Sequence, residues 1–184
     1  RRRSQSPLMR YVVVGTSGSG KSVFARTLAQ ARATPYIELD NLFWTKNWTP
    51  KPTEDFLALV ERAAAGSAWV VDGNYSIARS VLWPYATHVI WLNFGKGTVF
   101  SRILRRTLWR AATRQVLWSG NRESFAKALF SKESILLWSF TTYRKNQLKY
   151  QRLRTSNEFP HLRWHEFRSP NEAKQSLHAQ RIDA

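Results

Sequence analysis

The stretch Val12–Ser22 reads VVVGTSGSGKS: three valines that break into a glycine-spaced loop closed by a lysine and a serine. Gly15-Thr16-Ser17-Gly18-Ser19-Gly20-Lys21-Ser22 satisfies G-x-x-x-x-G-K-[ST] at every fixed position. Glycine lets successive backbone N–H groups curl inward around an anion. A helix starting at the lysine adds its positive N-terminal end at the same point. In such a loop the Lys21 ammonium reaches the β- and γ-phosphates, and the Ser22 hydroxyl ligates Mg2+. The expected ligand is therefore a nucleoside triphosphate, ATP with Mg2+, cradled by Gly15–Ser22. A dinucleotide frame, G-x-G-x-x-G, fails because its third glycine would fall on Val23.

Outward from the loop, the chain alternates between two kinds of pattern. Arg10–Val14 is β-branched and predicts a buried strand, and Lys21–Arg32 predicts a helix. Further strands are predicted at Pro35–Asp40, Ala68–Asp72, Thr87–Phe94 and His161–Phe167, with a closing helix over Pro170–Ala179. Strands separated by helical segments imply right-handed crossovers and a parallel sheet.

Asp40 and Asp72 close the second and third predicted strands. Ligands of parallel sheets gather at the carboxyl ends of strands, so both acids should face the loop. One of them would hold Mg2+ or its waters together with Ser22; the other would orient or deprotonate an acceptor hydroxyl. The plain structural alternatives are that Asp40 caps a segment starting at Asn41 and that Asp72 opens an Asp-Gly turn.

The 184 residues carry a net charge of +17, without cysteine. That excludes disulfides and thiolate chemistry and fits a reducing cytoplasm. No apolar run approaches the ~18 residues of a membrane span. The opening RRRSQSPLMR has no apolar segment behind it, so residues 1–9 are set aside as a basic tail and 10–184 are taken as a single domain.

Residues 101–154 hold 13 Lys and Arg against two acids, so the excess charge is concentrated there. Arg102, Arg106, Arg110 and Arg114 recur every four residues, with Phe100, Leu104, Leu108 and Ala111 as the expected apolar face. Like charges at this spacing repel unless an anion arrives. Either the transferring phosphates of a nucleotide or a nucleic-acid backbone would serve. Arg122, in SGNRES (Ser119–Ser124), is a further candidate for this group. The later charges Arg144, Lys145, Lys149 and Arg152 read as an outer helix face, with Ile135, Trp138 and Leu148 apolar.

Two connections exceed what a crossover needs: residues 41–66, expected as an acceptor-binding flap, and about 97–157, expected as a basic helical lid. Trp44 and Trp48, four apart in the first, would stack on a ligand or anchor the flap. His88, His161, His165 and His178 are scattered and give no zinc site.

These motifs together resemble the adenylate kinase and shikimate kinase group of P-loop kinases. LDNLFW, VDGNYS, GNRES and FRSPNEA are similar to the bacterial adenylate kinase-like proteins known as DNA topology modulation proteins, across nearly the whole chain from Arg10. The resemblance implies a three-layer α/β/α P-loop fold, with a five-stranded parallel sheet in order 2-3-1-4-5 and a helical lid. It also implies that Arg102 and Arg106 are the R-x-x-x-R of that lid, one against adenine and one on phosphates. Ser169 and Pro170 would then lie near the adenine. Two acceptor-gripping arginines of adenylate kinases are unmatched: Trp44 stands at one place and Asn74-Tyr75-Ser76 at the other, with Arg79 three residues on. The implied partners are a nucleoside triphosphate and a small-molecule or nucleotide acceptor. A nucleic-acid-binding regulator or ATPase remains the alternative.

Overall fold

The computed structural model describes residues 9–113, 132–178 and 182. Residues 1–8 of the predicted tail, SGNRES, Arg114 and Arg122 lie outside the described residues. Five strands form one sheet: β1 (Arg10–Gly15), β2 (Tyr36–Glu38), β3 (Trp69–Asp72), β4 (His88–Leu92) and β5 (Arg163–Phe167). Their order is β2-β3-β1-β4-β5, and every pairing is parallel. The predicted strands are thus all present; β1 runs one residue further, to Gly15, and the other four are trimmed at their ends.

Period-two alternation sends the side chains of β1 to opposite faces. Tyr11 and Val13 pack with Phe24, Ala25 and Leu28 of helix α1 (Lys21–Ala31). Val12 and Val14 pack on the other face with Phe56 and Val60 of helix α3 (Thr53–Ala63). Between β2 and α3 lies the short helix α2 (Leu39–Phe43), and before β4 lies α4 (Arg79–Leu82). Helices therefore cover both faces of the sheet. Of the 41–66 connection, α3 belongs to the core: Phe56 and Val60 are fully buried, and truncating Phe56 to alanine would cost about 3–5 kcal/mol. Residues 44–50 turn back on themselves, with Trp44 bridged antiparallel to Pro50.

Helix α5 (Lys96–Thr113) docks through Val99 and Ile103, which are buried. This corrects the apolar face expected from the sequence. Leu104 and Leu108 are 42% and 50% exposed, because the helix turns its adjacent Val99/Ile103 edge onto the glycine loop. The long helix α6 (Lys132–Thr155) reaches the residues that follow β3 and β4, Asn74 and Phe94. Tyr143 belongs to one core, donating to the Phe94 carbonyl at 2.9 Å, and Tyr150 to the other, donating to Asn74 Oδ1 at 2.7 Å. Leu148, expected as apolar contact, is 44% exposed instead. The final helix, α7 (Pro170–His178), packs against α1. Among the described residues no helix is long and apolar enough to cross a membrane.

Candidate active site

Strand β1 sits between β3 and β4, with Val13 level with Asp72 and Gly15 level with Leu92. The chain leaves the sheet at Gly15, where crossovers depart to either side, which is the place parallel sheets reserve for ligands. Gly18 and Gly20 take φ angles of +80° and +87°, a region closed to most side chains. The left-handed Gly20 brings the chain straight into α1, whose N-terminus has no side-chain cap.

Lys21 curls back so that its ammonium donates to the Thr16 carbonyl at 3.1 Å. Burial lowers its pKa, and Arg106 lowers it further, while Asp72 and Asp40 oppose the shift. Both predicted carboxylates thus act on the lysine electrostatically. Asp72 is the last residue of β3 and is buried. Burial raises its pKa, against the pull of Lys21 and a hydrogen bond from Ser22. The Tyr36 hydroxyl donates to Asp72 Oδ2 at 3.3 Å, whereas Oδ1 is buried with no partner among the described residues.

Asp40 does not end a strand. β2 stops at Glu38, and Asp40 lies in the first turn of α2, where its charge suits the helix dipole. The chain turns helical there because Leu39 is buried against Gly73: a Cβ on Gly73 would fall 2.8 Å from Leu39 Cβ. Asp40 is nevertheless held in place, since the Tyr75 hydroxyl donates to its Oδ1 and the Trp44 indole hydrogen-bonds the same hydroxyl. Burial, then the Asp40 hydrogen bond, keeps Tyr75 protonated far above the usual tyrosine range. The Tyr75 ring is fixed by Phe43 and Phe56, 4.6 and 5.3 Å away between centroids.

Two arginines of the stripe reach the loop. Arg102 Nη1 donates to the Ser19 carbonyl at 3.0 Å, with its guanidinium 5.4 Å from the Phe94 ring centroid. Arg106 Nη2 donates to Ser17 Oγ at 3.3 Å. The next turn of the stripe, Arg110, has no described side chain.

Folds of this kind recur among solved structures. A gluconokinase from Sinorhizobium meliloti 1021 superposes with a TM-score of 0.52 at 20% identity, over 97% of this chain and 96% of its own. A sugar kinase from Janibacter sp. HTCC2649 gives 0.49 at 18% identity, over 96% of each chain. The fold is that of a P-loop kinase. No family model matches the sequence, and no curated protein does.

In this P-loop kinase fold, Ser169 and Pro170 have a structural task. Ser169 Oγ accepts the Glu172 N–H at 3.2 Å, and Glu172 returns the favour to the Arg168 N–H at 2.8 Å, a capping arrangement that starts α7 with proline in its first turn. Neither residue is hydrogen-bonded to the loop among the described residues.

Sequence reading missed Asn74, Tyr75 and Tyr150 as parts of the site. The Asp-Gly-Asn run spoke for a turn, and tyrosines of α6 carried no signal beyond helix periodicity. Trp44 and Trp48 pack edge to face at 5.7 Å, and Trp48 remains 37% exposed.

Proposed function

We propose that the chain is an ATP-dependent phosphotransferase that moves the γ-phosphate to a hydroxyl of a small acceptor. One observation carries this reading: Lys21, Asp72, Asp40, Arg102 and Arg106, drawn from four separate elements, converge on the loop Gly15–Ser22. In this reading the amides from Gly15 to Ser22, with Thr16, Ser17, Gly18, Ser19 and Gly20 between them, hold the phosphates. Lys21 leaves the Thr16 carbonyl for the β- and γ-oxygens.

The residues present suit Mg2+, for the Asp72 carboxylate interacts with the Ser22 side chain and keeps a buried Oδ1 without a hydrogen bond. Ser22 and Asp72 would hold the ion, with Asp40 the second carboxylate nearby; bound there, it would neutralise charge on the phosphate oxygens. Asp40, fixed by Tyr75, orients the acceptor hydroxyl and takes up its proton. Arg102 and Arg106 bind the equatorial oxygens as charge spreads over them. Ser169 and Pro170 border the base. Residues 44–50 form the acceptor flap, and α5 belongs to the lid.

The resemblance of LDNLFW, VDGNYS and FRSPNEA to the adenylate kinase-like DNA topology modulation proteins supports the same chemistry. A regulator that grips nucleic acid is disfavoured, because Arg102 and Arg106 turn onto the loop instead of lining an open track. The deciding experiment measures ADP release over a panel of sugars, sugar acids, nucleosides and nucleotides. Wild type should release ADP with one class, and Lys21→Ala and Asp40→Asn should lose at least a hundredfold. Turnover retained by Lys21→Ala would overturn the reading.

A further inference from the structure

Helix α6 carries a cationic group that the phosphate chemistry leaves unused. Its charges, expected on an outer face, are not all there. Lys149 is half-buried, its ammonium donating to Ser76 Oγ at 2.9 Å and lying 5.2 Å from the Tyr150 ring centroid. Arg79, first residue of α4, rests on the Trp83 ring at 5.3 Å. Burial lowers the pKa of Lys149, and the neighbouring charges of Arg79 and Lys145 lower it further. None of the three has an ion pair with a carboxylate among the described residues.

A half-buried ammonium, flanked by two cations and compensated by one neutral hydroxyl, is stabilised when an anion enters. Its position gives that anion a purpose. Ser76 follows Tyr75, the residue that holds Asp40, and the Tyr150 ring under Lys149 is tied through its hydroxyl to Asn74 beside the loop.

We infer that Arg79, Lys145, Lys149 and Ser76 seat an acid group of the acceptor, a carboxylate or a phosphate monoester, while its hydroxyl faces Asp40. The inference rests on the phosphotransferase reading and narrows its substrate class to hydroxylated small-molecule anions. One ammonium on a hydroxyl, with two cations acting on it, makes a point, whereas a nucleic-acid backbone needs a track.

Calorimetric titration of the full chain saturated with Mg2+ and AMP-PNP, which fills the loop, tests it. Gluconate and inorganic phosphate are the probes, and glucose is the neutral control. At least one anion should bind while glucose does not. Lys149→Gln and the exposed Lys145→Gln should each weaken binding at least tenfold, and Lys149→Arg should restore most of it. Absence of anion binding, equal binding of glucose, or unchanged affinity in both glutamine variants would overturn the inference. So would a single-stranded oligonucleotide that displaces the anions with a steep salt dependence. The parent reading fails separately, if AMP-PNP does not bind wild type or binds Lys21→Ala equally well.

Discussion

The Asn74 side chain grips the Gly15 peptide from both sides. Its Oδ1 accepts the Gly15 N–H at 3.4 Å, and its Nδ2 donates to the Gly15 carbonyl at 2.5 Å. Tyr150 completes the clamp by donating to the same Oδ1. The loop's entry is thus tied to the end of β3 and to α6 by one amide.

Asn74→Ala should therefore cost about 1–3 kcal/mol of stability, since it strands partly buried polar partners. It should also weaken nucleotide binding, because the entry to the loop is no longer fixed. Tyr150→Phe, which removes one donor, should cost nearer 1 kcal/mol. Urea unfolding and AMP-PNP titration measure both effects; an unperturbed Asn74→Ala protein would deny the clamp any role.

Gly18→Ala meets two obstacles at once. Its φ of +80° disfavours a side chain, and the new Cβ would lie 2.5 Å from Ile103 Cγ1 and 3.0 Å from the Val99 carbonyl. The expected loss is about 1–3 kcal/mol. Adding Ile103→Ala should recover the steric part, so the double variant should be more stable than the sum of the single losses. Strict additivity in thermal melts would count against the contact.

Arg102→Ala and Arg106→Ala should separate chemistry from folding. Arg102 donates to the Ser19 carbonyl and Arg106 to Ser17 Oγ, and Arg106 is exposed, so melting temperatures should move little. Under the proposed function, kcat should fall roughly 10²- to 10³-fold with Arg106→Ala, as for other groups that stabilise developing charge. Arg106→Lys should recover only part, having lost the guanidinium fork. Steady-state kinetics beside calorimetry would expose the opposite pattern, a large unfolding effect with unchanged kcat.

Glu166 gives the acid limb of stability. Burial pushes its pKa up, but Asn93, Arg168 and Arg154 outweigh that and hold it below the usual 4.5. Asn93 Nδ2 and Arg154 Nη1 donate to it at 2.8 and 2.7 Å. Because the folded-state pKa lies below the unfolded one, the contribution is complete above about pH 4.5 and is lost as pH falls through the folded value. Glu166→Gln should cost about 1–2 kcal/mol at pH 7 and flatten the decline below pH 4.5. An unchanged acid slope in denaturation at stepped pH would refute this assignment.

Much of the backbone was legible because its causes are local. Central strands of a parallel sheet are buried on both faces, so RYVVVG, AWVVD and HVIWL stand out as unbroken apolar runs. The glycine loop was legible for the same reason: its unusual φ angles demand particular residues at fixed spacing. Asp40 shows where local reading stops. PYIELD alternates well enough for a strand, yet Leu39 finds its burial under Gly73, and the chain turns helical two residues early.

By itself, then, the sequence determined the glycine loop and the strands, since backbone conformation and apolar burial follow from neighbours along the chain. Only the tertiary structure decided that Asn74 holds Gly15, that α5 docks by Val99 and Ile103, and that Lys149 reaches Ser76. Those contacts join residues 59 and 73 positions apart in two of the three cases. A helix of mixed charge has several faces that would serve as its exterior, and the choice among them is made by the surfaces it meets.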